Sequence, residues 1–85
     1  MRQQTDFWAM AMTATTLQEA HEVLSRLEPP PSSSSATRRD YHLRSVAVYE
    51  RIADVDRGHH HEALYWVGRE QRKAAEHAVS PRSHS

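Results

Sequence analysis

Cysteine is absent from the 85 residues, which excludes disulfides, thiolate metal sites and thiol nucleophiles. Glycine is scarce, with two residues, and three of the four prolines form a single run at positions 29–31. A membrane span needs roughly 18 consecutive apolar residues, whereas the longest run here, at positions 7–12, has six. A secretory signal is not recognisable either, so we expect a cytoplasmic protein.

The formal net charge is zero, because eleven Lys and Arg balance eleven Asp and Glu. The chain therefore has no basic field of the kind that holds nucleic acid. No glycine-rich phosphate loop, activated nucleophile or carboxylate pair is recognisable, so we predict neither catalysis nor a cofactor. One small domain with a marginal core is expected, and a partner or a second copy would help to stabilise it.

The first predicted helix begins at Thr16, where Thr16 and Glu19 have the spacing of a capping box. Apolar residues then recur at steps of three and four, as in an amphipathic helix: Leu17, Ala20, Val23, Leu24 and Leu27. The prolines at 29–31 end this helix, and residues 29–37, PPPSSSSAT, are predicted to be a linker.

Residues 1–15 are interpreted as an N-terminal extension that is disordered in one reading, with residues 1–11 as an optional leader. The alternative is that Phe7 and Trp8 fold back to cap the core. At the other end, residues 80–85 are predicted to be a disordered tail, so the helical domain comprises residues 16–79.

Two further helices are predicted, one from about Arg38 and one from His59 to Val79. Thr37 and Asp40 resemble a capping box for the former. Gly58 is expected to end that helix in the left-handed conformation, so that the two helices form an antiparallel hairpin. With the first helix packed across it, the expected fold is all-α, a small three-helix bundle.

Two resemblances agree with helical hairpins. Residues 58–64, GHHHEAL, resemble the turn and second helix of a tetratricopeptide repeat, and residues 17–20, LQEA, with Leu24, Leu27 and Pro29, resemble another second helix. Arg51 departs from that pattern, which has a small residue there, and no 34-residue period is present. Residues 52–70, IADVDRGHHHEALYWVGRE, are similar to small uncharacterised actinobacterial helical proteins. That similarity implies a helical fold and an actinobacterial origin.

The run His59, His60 and His61 suggests a metal site, but neighbouring helical residues diverge by about 100°. Three successive side chains therefore cannot converge on one ion. A metal would need one of them with carboxylates, and the candidate set is His59, Glu62 and Asp56, a zinc or iron type of donor set. The alternative is one core histidine, His60, between two surface histidines.

Interaction with another protein is the function that the sequence favours most. Leu43 and Val46 fall off the apolar stripe of their predicted helix, while Trp66 and Tyr65 lie at the rim. Exposed aromatic residues of this kind dominate binding hot spots. We therefore expect a non-enzymatic interaction or accessory regulatory module, self-associating as a homodimer or bound to another protein. The alternatives are metal binding and a small DNA-associated regulator, the latter using two basic strips: Arg69, Arg72 and Lys73, and Arg38, Arg39 and Arg44.

Overall fold

The computed structural model describes residues 6–77 and is helical, without a strand in that range. Its elements are α1 (Phe7–Thr13), α2 (Leu17–Leu27), α3 (Ser35–Val55), a 3₁₀ turn (Arg57–His59) and α4 (His60–Glu76). The all-α prediction is confirmed. The three-helix count differs from the structure, because residues 7–13 add a helix before the three expected ones. The predicted tail, residues 80–85, lies outside the described residues.

Side-chain caps determine where the first two helices begin. The carboxylate of Asp6 accepts a hydrogen bond from the backbone N–H of Ala9, and the hydroxyl of Thr16 accepts one from Glu19. Glu19 in turn accepts the backbone N–H of Thr15 at 3.2 Å. Thr16 is therefore confirmed as the N-cap, whereas Glu19 reaches back to the residue before the cap and not to the Thr16 N–H of the predicted capping box.

The start of α3 lies three residues earlier than the sequence predicted. Ser34 is its N-cap and accepts the backbone N–H of Thr37 at 3.1 Å. Thr37 is thus a residue of the first turn, and its resemblance to a cap was misleading. The serine run offered several equivalent caps, and the most N-terminal usable one extends the helix to 21 residues.

Helices α3 and α4 form an antiparallel hairpin, as predicted. His42 near the start of α3 meets Glu70 near the end of α4, while Ala53 near the end of α3 meets His60 at the start of α4. The role assigned to Gly58 was wrong. No residue in the range 6–77 has a positive φ, and Gly58 lies inside the 3₁₀ turn, with Asp56 as the C-cap of α3.

The core lies where α1 and α2 pack against the hairpin, and its largest fully buried apolar side chains are Ile52 and Val48. Phe7 and Trp8 of α1 are partly buried against this core. The Cα extents are 44 × 40 × 15 Å, and the short dimension corresponds to two layers of helices. Within the part of the chain that is described, no helix is both long and apolar enough to cross a membrane.

Candidate functional site

Two contacts determine which way each side of α3 faces. The hydroxyl of Tyr41 donates to the carbonyl of Leu24 in α2 at 2.9 Å, and Nδ1 of His42 lies 2.6 Å from Oε1 of Glu70 in α4. Each helical residue is rotated by about 100° from the last, so Leu43 points about 200° away from Tyr41. Leu43 therefore faces away from α2, and half of it, 50%, is exposed.

The same reasoning applies to α4, where Trp66 marks the side that meets α2. Its indole contacts the His21 ring edge-on, with centroids 4.7 Å apart. Leu64 and Gly68 each lie two positions from Trp66, about 200° around the helix, and Leu64 is 45% exposed. We define the outer face as the side of the hairpin away from α2, formed by Arg39, Leu43, Val46 and Glu50 on α3 and by Leu64, Gly68 and Gln71 on α4.

The four residues predicted to bind a partner are not on one surface. Leu43 and Val46 both lie on the outer face, where Val46 is partly buried against the core. Trp66 is also partly buried, but on the opposite side, stacked on Tyr49 at 5.9 Å. Tyr65 is 58% exposed at the free edge of α4, edge-on to Trp66 at 5.4 Å. Trp66 is thus an edge-of-core residue, and Leu43 and Val46 belong to a different surface.

On the side opposite the outer face, α2, α3 and α4 enclose a groove of about 490 Å³. His21, Tyr49 and Trp66 form one wall, in which Nδ1 of His21 is hydrogen-bonded to the Tyr49 hydroxyl at 2.7 Å. Burial lowers the pKa of His21, opposed by the charges of Glu62 and Glu70, and burial raises the pKa of Tyr49. The groove therefore keeps this histidine neutral at neutral pH.

A buried hydrogen-bonded pair, which the sequence reasoning missed, lies between α3 and α4 beside the groove. The side chains of His42 and Glu70 are 9% and 6% exposed and meet at 2.6 Å. The second carboxylate oxygen of Glu70 accepts from Arg69 at 2.8 Å. The signal was available, since Glu70 continues the spacing of the buried residues Ala63 and Val67 along α4.

The candidate metal set lies at the hairpin turn. Nδ1 of His59 is 2.9 Å from Oδ2 of Asp56, while its other ring nitrogen, Nε2, is 3.9 Å from Glu62. The same Asp56 oxygen accepts the backbone N–H of Leu17 at 2.8 Å. The two carboxylates thus meet opposite nitrogens of one ring. In residues 6–77 no group of three or more His, Asp and Glu side chains is arranged to hold a metal ion, and the metal hypothesis stays a prediction.

The hydrogen bonds of this turn shift both pKa values. The pKa of Asp56 is lowered, chiefly by the Leu17 N–H and then by His59. The pKa of His59 is raised, chiefly by its hydrogen bond to Asp56. His60 faces the hairpin and donates from Nδ1 to the Ala53 carbonyl at 2.7 Å. His60 is thus a partly buried, hydrogen-bonded histidine between the exposed His59 and His61, and it lies at the edge of the core.

The two predicted basic strips are partly neutralised within their own helices. Arg44 pairs with Asp40 at 3.2 Å, and Lys73 approaches Glu76 at 3.8 Å. Arg69 already binds Glu70.

The molecule presents three distinct surfaces: the outer face with its exposed leucines, the polar groove and the charged turn. The leucines of the outer face are the ones whose exposure the packing of the monomer does not explain. No family model, no curated protein and no solved structure matches this chain.

Proposed function

We propose that the protein is a non-enzymatic interaction module that binds another polypeptide through its outer face. The supporting observation is that Leu43 and Leu64 are about half exposed on the same side of the hairpin. Between them lie the partly buried Val46 and the side-chain-free Gly68. Apolar surface grouped in this way, with charged residues at its rim, is characteristic of protein contact sites.

The packing of the hairpin explains why the exposed parts of Leu43 and Leu64 are not needed for the core. The interior is already filled from the other side by α1 and α2, which bury Ala11, Leu17 and Leu24 against the hairpin, chiefly against α3. The exposed half of each leucine contributes nothing in the monomer. Full burial of a leucine side chain contributes about 1.5–3 kcal/mol, and covering the exposed half in a complex adds part of that. The outer face therefore stabilises a complex more than it stabilises the isolated fold.

Photo-crosslinking in native cell extract tests this proposal. A photoreactive residue replaces Leu64 on the outer face, and in a matched control it replaces Met12 of α1, which is similarly exposed (45% and 42%). We expect a defined protein adduct at position 64, mapped by mass spectrometry, and its loss when Leu43→Asp is added. Equal labelling at both positions, or an adduct insensitive to Leu43→Asp, would contradict the proposal.

A further inference from the structure

The outer face of α3 carries a self-complementary pattern. Along this side the residues run Arg39, Leu43, Val46 and Glu50, so a cation and an anion flank two apolar residues, of which Leu43 is half exposed and Val46 is partly buried. The midpoint between Arg39 and Glu50 falls between positions 44 and 45, and so does the midpoint between Leu43 and Val46. An antiparallel copy of α3 centred there places opposite charges together and apolar residues together.

Helix α4 fits a two-fold axis that passes through this midpoint of α3. His42 lies level with Glu70, so a point two or three residues further along α3 lies level with Val67 and Gly68 of the antiparallel α4. Gly68 is therefore at the position where two copies of α4 cross. Gly68 has no side chain of its own, and the flexible end of Arg72 lies over it, with Nη1 3.5 Å from the position of an added Cβ. In the dimer the Arg72 side chain moves aside, so that the two backbones approach closely.

We propose that the partner on the outer face is a second copy of this chain, related by a two-fold axis perpendicular to the helices. In this dimer α3 packs on α3 and α4 on α4, each antiparallel, and Leu43 meets Val46 of the second copy. Arg39 meets Glu50 of the second copy, and symmetry forms that ion pair twice. This inference rests on the proposed function, because it names the polypeptide that binds the outer face.

The size of the face fits a small dimer. A 21-residue helix is about 31 Å long, and two helices side by side are roughly 20 Å wide. The resulting footprint, on the order of 600 Å² per copy, is at the lower end of specific interfaces, whose typical size is roughly 800 Å² per partner. We therefore expect a dimer with micromolar rather than nanomolar affinity.

Charge reversal tests the register directly. Arg39→Glu and Glu50→Arg each create two like-charged pairs in a homodimer, so each variant alone should weaken self-association by about tenfold or more. Mixing the two variant chains restores both opposite-charge pairs, and the mixture should form a heterodimer. Masses from sedimentation, against 9.8 kDa for the monomer, measure this. Arg26→Glu on α2, an exposed arginine outside the outer face, is the matched control and should behave as wild type.

Cysteine cross-linking provides a second measurement, since the chain has no cysteine of its own. Positions 39 and 50 are about 16 Å apart on one helix, so Arg39→Cys and Glu50→Cys can join only between chains. We expect the mixture of these two variants to form the mixed disulfide faster than either variant joins to itself. Equal rates for all three combinations would contradict the antiparallel register.

The outcomes separate this inference from the proposed function. A wild-type dimer that is insensitive to both charge reversals, with no preferred cross-link, would overturn the register. A wild-type chain that stays monomeric at every concentration would overturn self-association. In that case a Leu64 adduct with a different protein, lost on Leu43→Asp, would leave the proposed function standing.

Discussion

At the scale of single residues, the hairpin turn is stabilised by a charge arrangement whose strength depends on pH. Asp56 joins α2 to the turn through the Leu17 N–H and also binds His59. Because the folded-state pKa of Asp56 is lowered, its contribution is present above its ordinary value of 3.8 and is lost as the pH falls through the lower folded value. The folded-state pKa of His59 is raised. Its contribution to stability is therefore present below pH 6.5, its ordinary pKa, and is lost as the pH rises through the higher folded-state pKa.

His21 acts in the opposite direction. Its folded-state pKa is lowered by burial, so its contribution to stability is present above its ordinary value of 6.5 and is lost as the pH falls through the lowered value. The histidines of the groove and the turn therefore oppose one another near neutrality. A single measured pH profile of the wild type combines both effects, and a variant is needed to separate them.

We predict that His59→Gln removes the loss of stability at alkaline pH that the His59 contact at the turn causes. The wild type should lose stability relative to this variant as the pH rises through the raised pKa of His59 above 6.5. The melting temperature of both proteins between pH 5 and 9 measures the effect. His61→Gln, at an exposed neighbour, is the control, and its melting temperature should track the wild type throughout. A constant difference between wild type and His59→Gln across this range would refute the prediction.

Gly58 supports a prediction opposite to the one that its sequence context suggested. Its φ is not positive, and a Cβ added there meets no atom within 4 Å. Gly58→Ala should therefore stabilise the protein by about 0.4–1 kcal/mol, because alanine restricts the unfolded chain. Urea unfolding at a fixed protein concentration measures this free energy. Destabilisation would instead indicate a left-handed glycine.

At the scale of helices, the buried pair of His42 and Glu70 holds α3 to α4. A buried polar group that loses its hydrogen-bond partner is costly, whereas replacing both partners by apolar residues is often neutral. We predict that Glu70→Ala lowers the free energy of unfolding by roughly 3 kcal/mol or more, and that His42→Leu combined with Glu70→Leu recovers most of it. The exposed Glu76→Ala control should change it by less than about 0.5 kcal/mol. A cost below about 1 kcal/mol for Glu70→Ala would show that the pair does not hold the hairpin.

The helices themselves were largely predictable from periodicity and caps. The stripe of α2 and its Thr16 cap gave its position directly, and the hairpin followed from the two flanking apolar patterns. Glycine was the least reliable marker, since a turn closed by a C-cap at Asp56 and one 3₁₀ segment needs no left-handed residue. The start of α3 was ambiguous because several serines could cap it.

The candidate site was less predictable, because it depends on how helices rotate against one another. Leu43 and Val46 could be recognised as misplaced on an amphipathic stripe. Their separation from Trp66 could not, since it requires knowing which side of α4 meets α2. Glu70 shows the same limit: a charged residue at a core position is interpreted as solvated until its partner, His42, is located on the other helix.

At the scale of the whole molecule, the thin dimension of 15 Å means that the outer face is only one helix layer away from the core. Ala53 and Val67 are buried between α3 and α4, and Val46 extends from that interior to the outer face. Association on the outer face therefore covers the same hairpin that the core stabilises from the other side. Self-association and folding should be linked by mass action, so the melting temperature should rise with protein concentration.

The position of α1 leads to a prediction about cooperativity. Trp8 packs against Tyr41 with ring centroids 6.0 Å apart, and its ring lies 5.2 Å from the Arg44 guanidinium, so α1 is bound to α3 through two side chains one turn apart. Ala14, after α1, is buried, and its carbonyl accepts from Arg51. If α1 is part of the single core, its local unfolding requires the same contacts to break as global unfolding does.

Because the chain has two tryptophans, Trp66→Phe leaves Trp8 as the reporter of α1, and Trp8→Phe leaves Trp66 as the reporter of the hairpin. Far-ultraviolet circular dichroism reports all helices in each variant. Within each variant we expect the fluorescence and dichroism transitions in urea to coincide, with the same midpoint and slope. A Trp8 transition that precedes the loss of helix in the Trp66→Phe chain would show that α1 detaches first. Coincidence would place residues 7–13 in the same cooperative unit as the hairpin, since only contacts shared with the core make a seven-residue helix unfold with the whole.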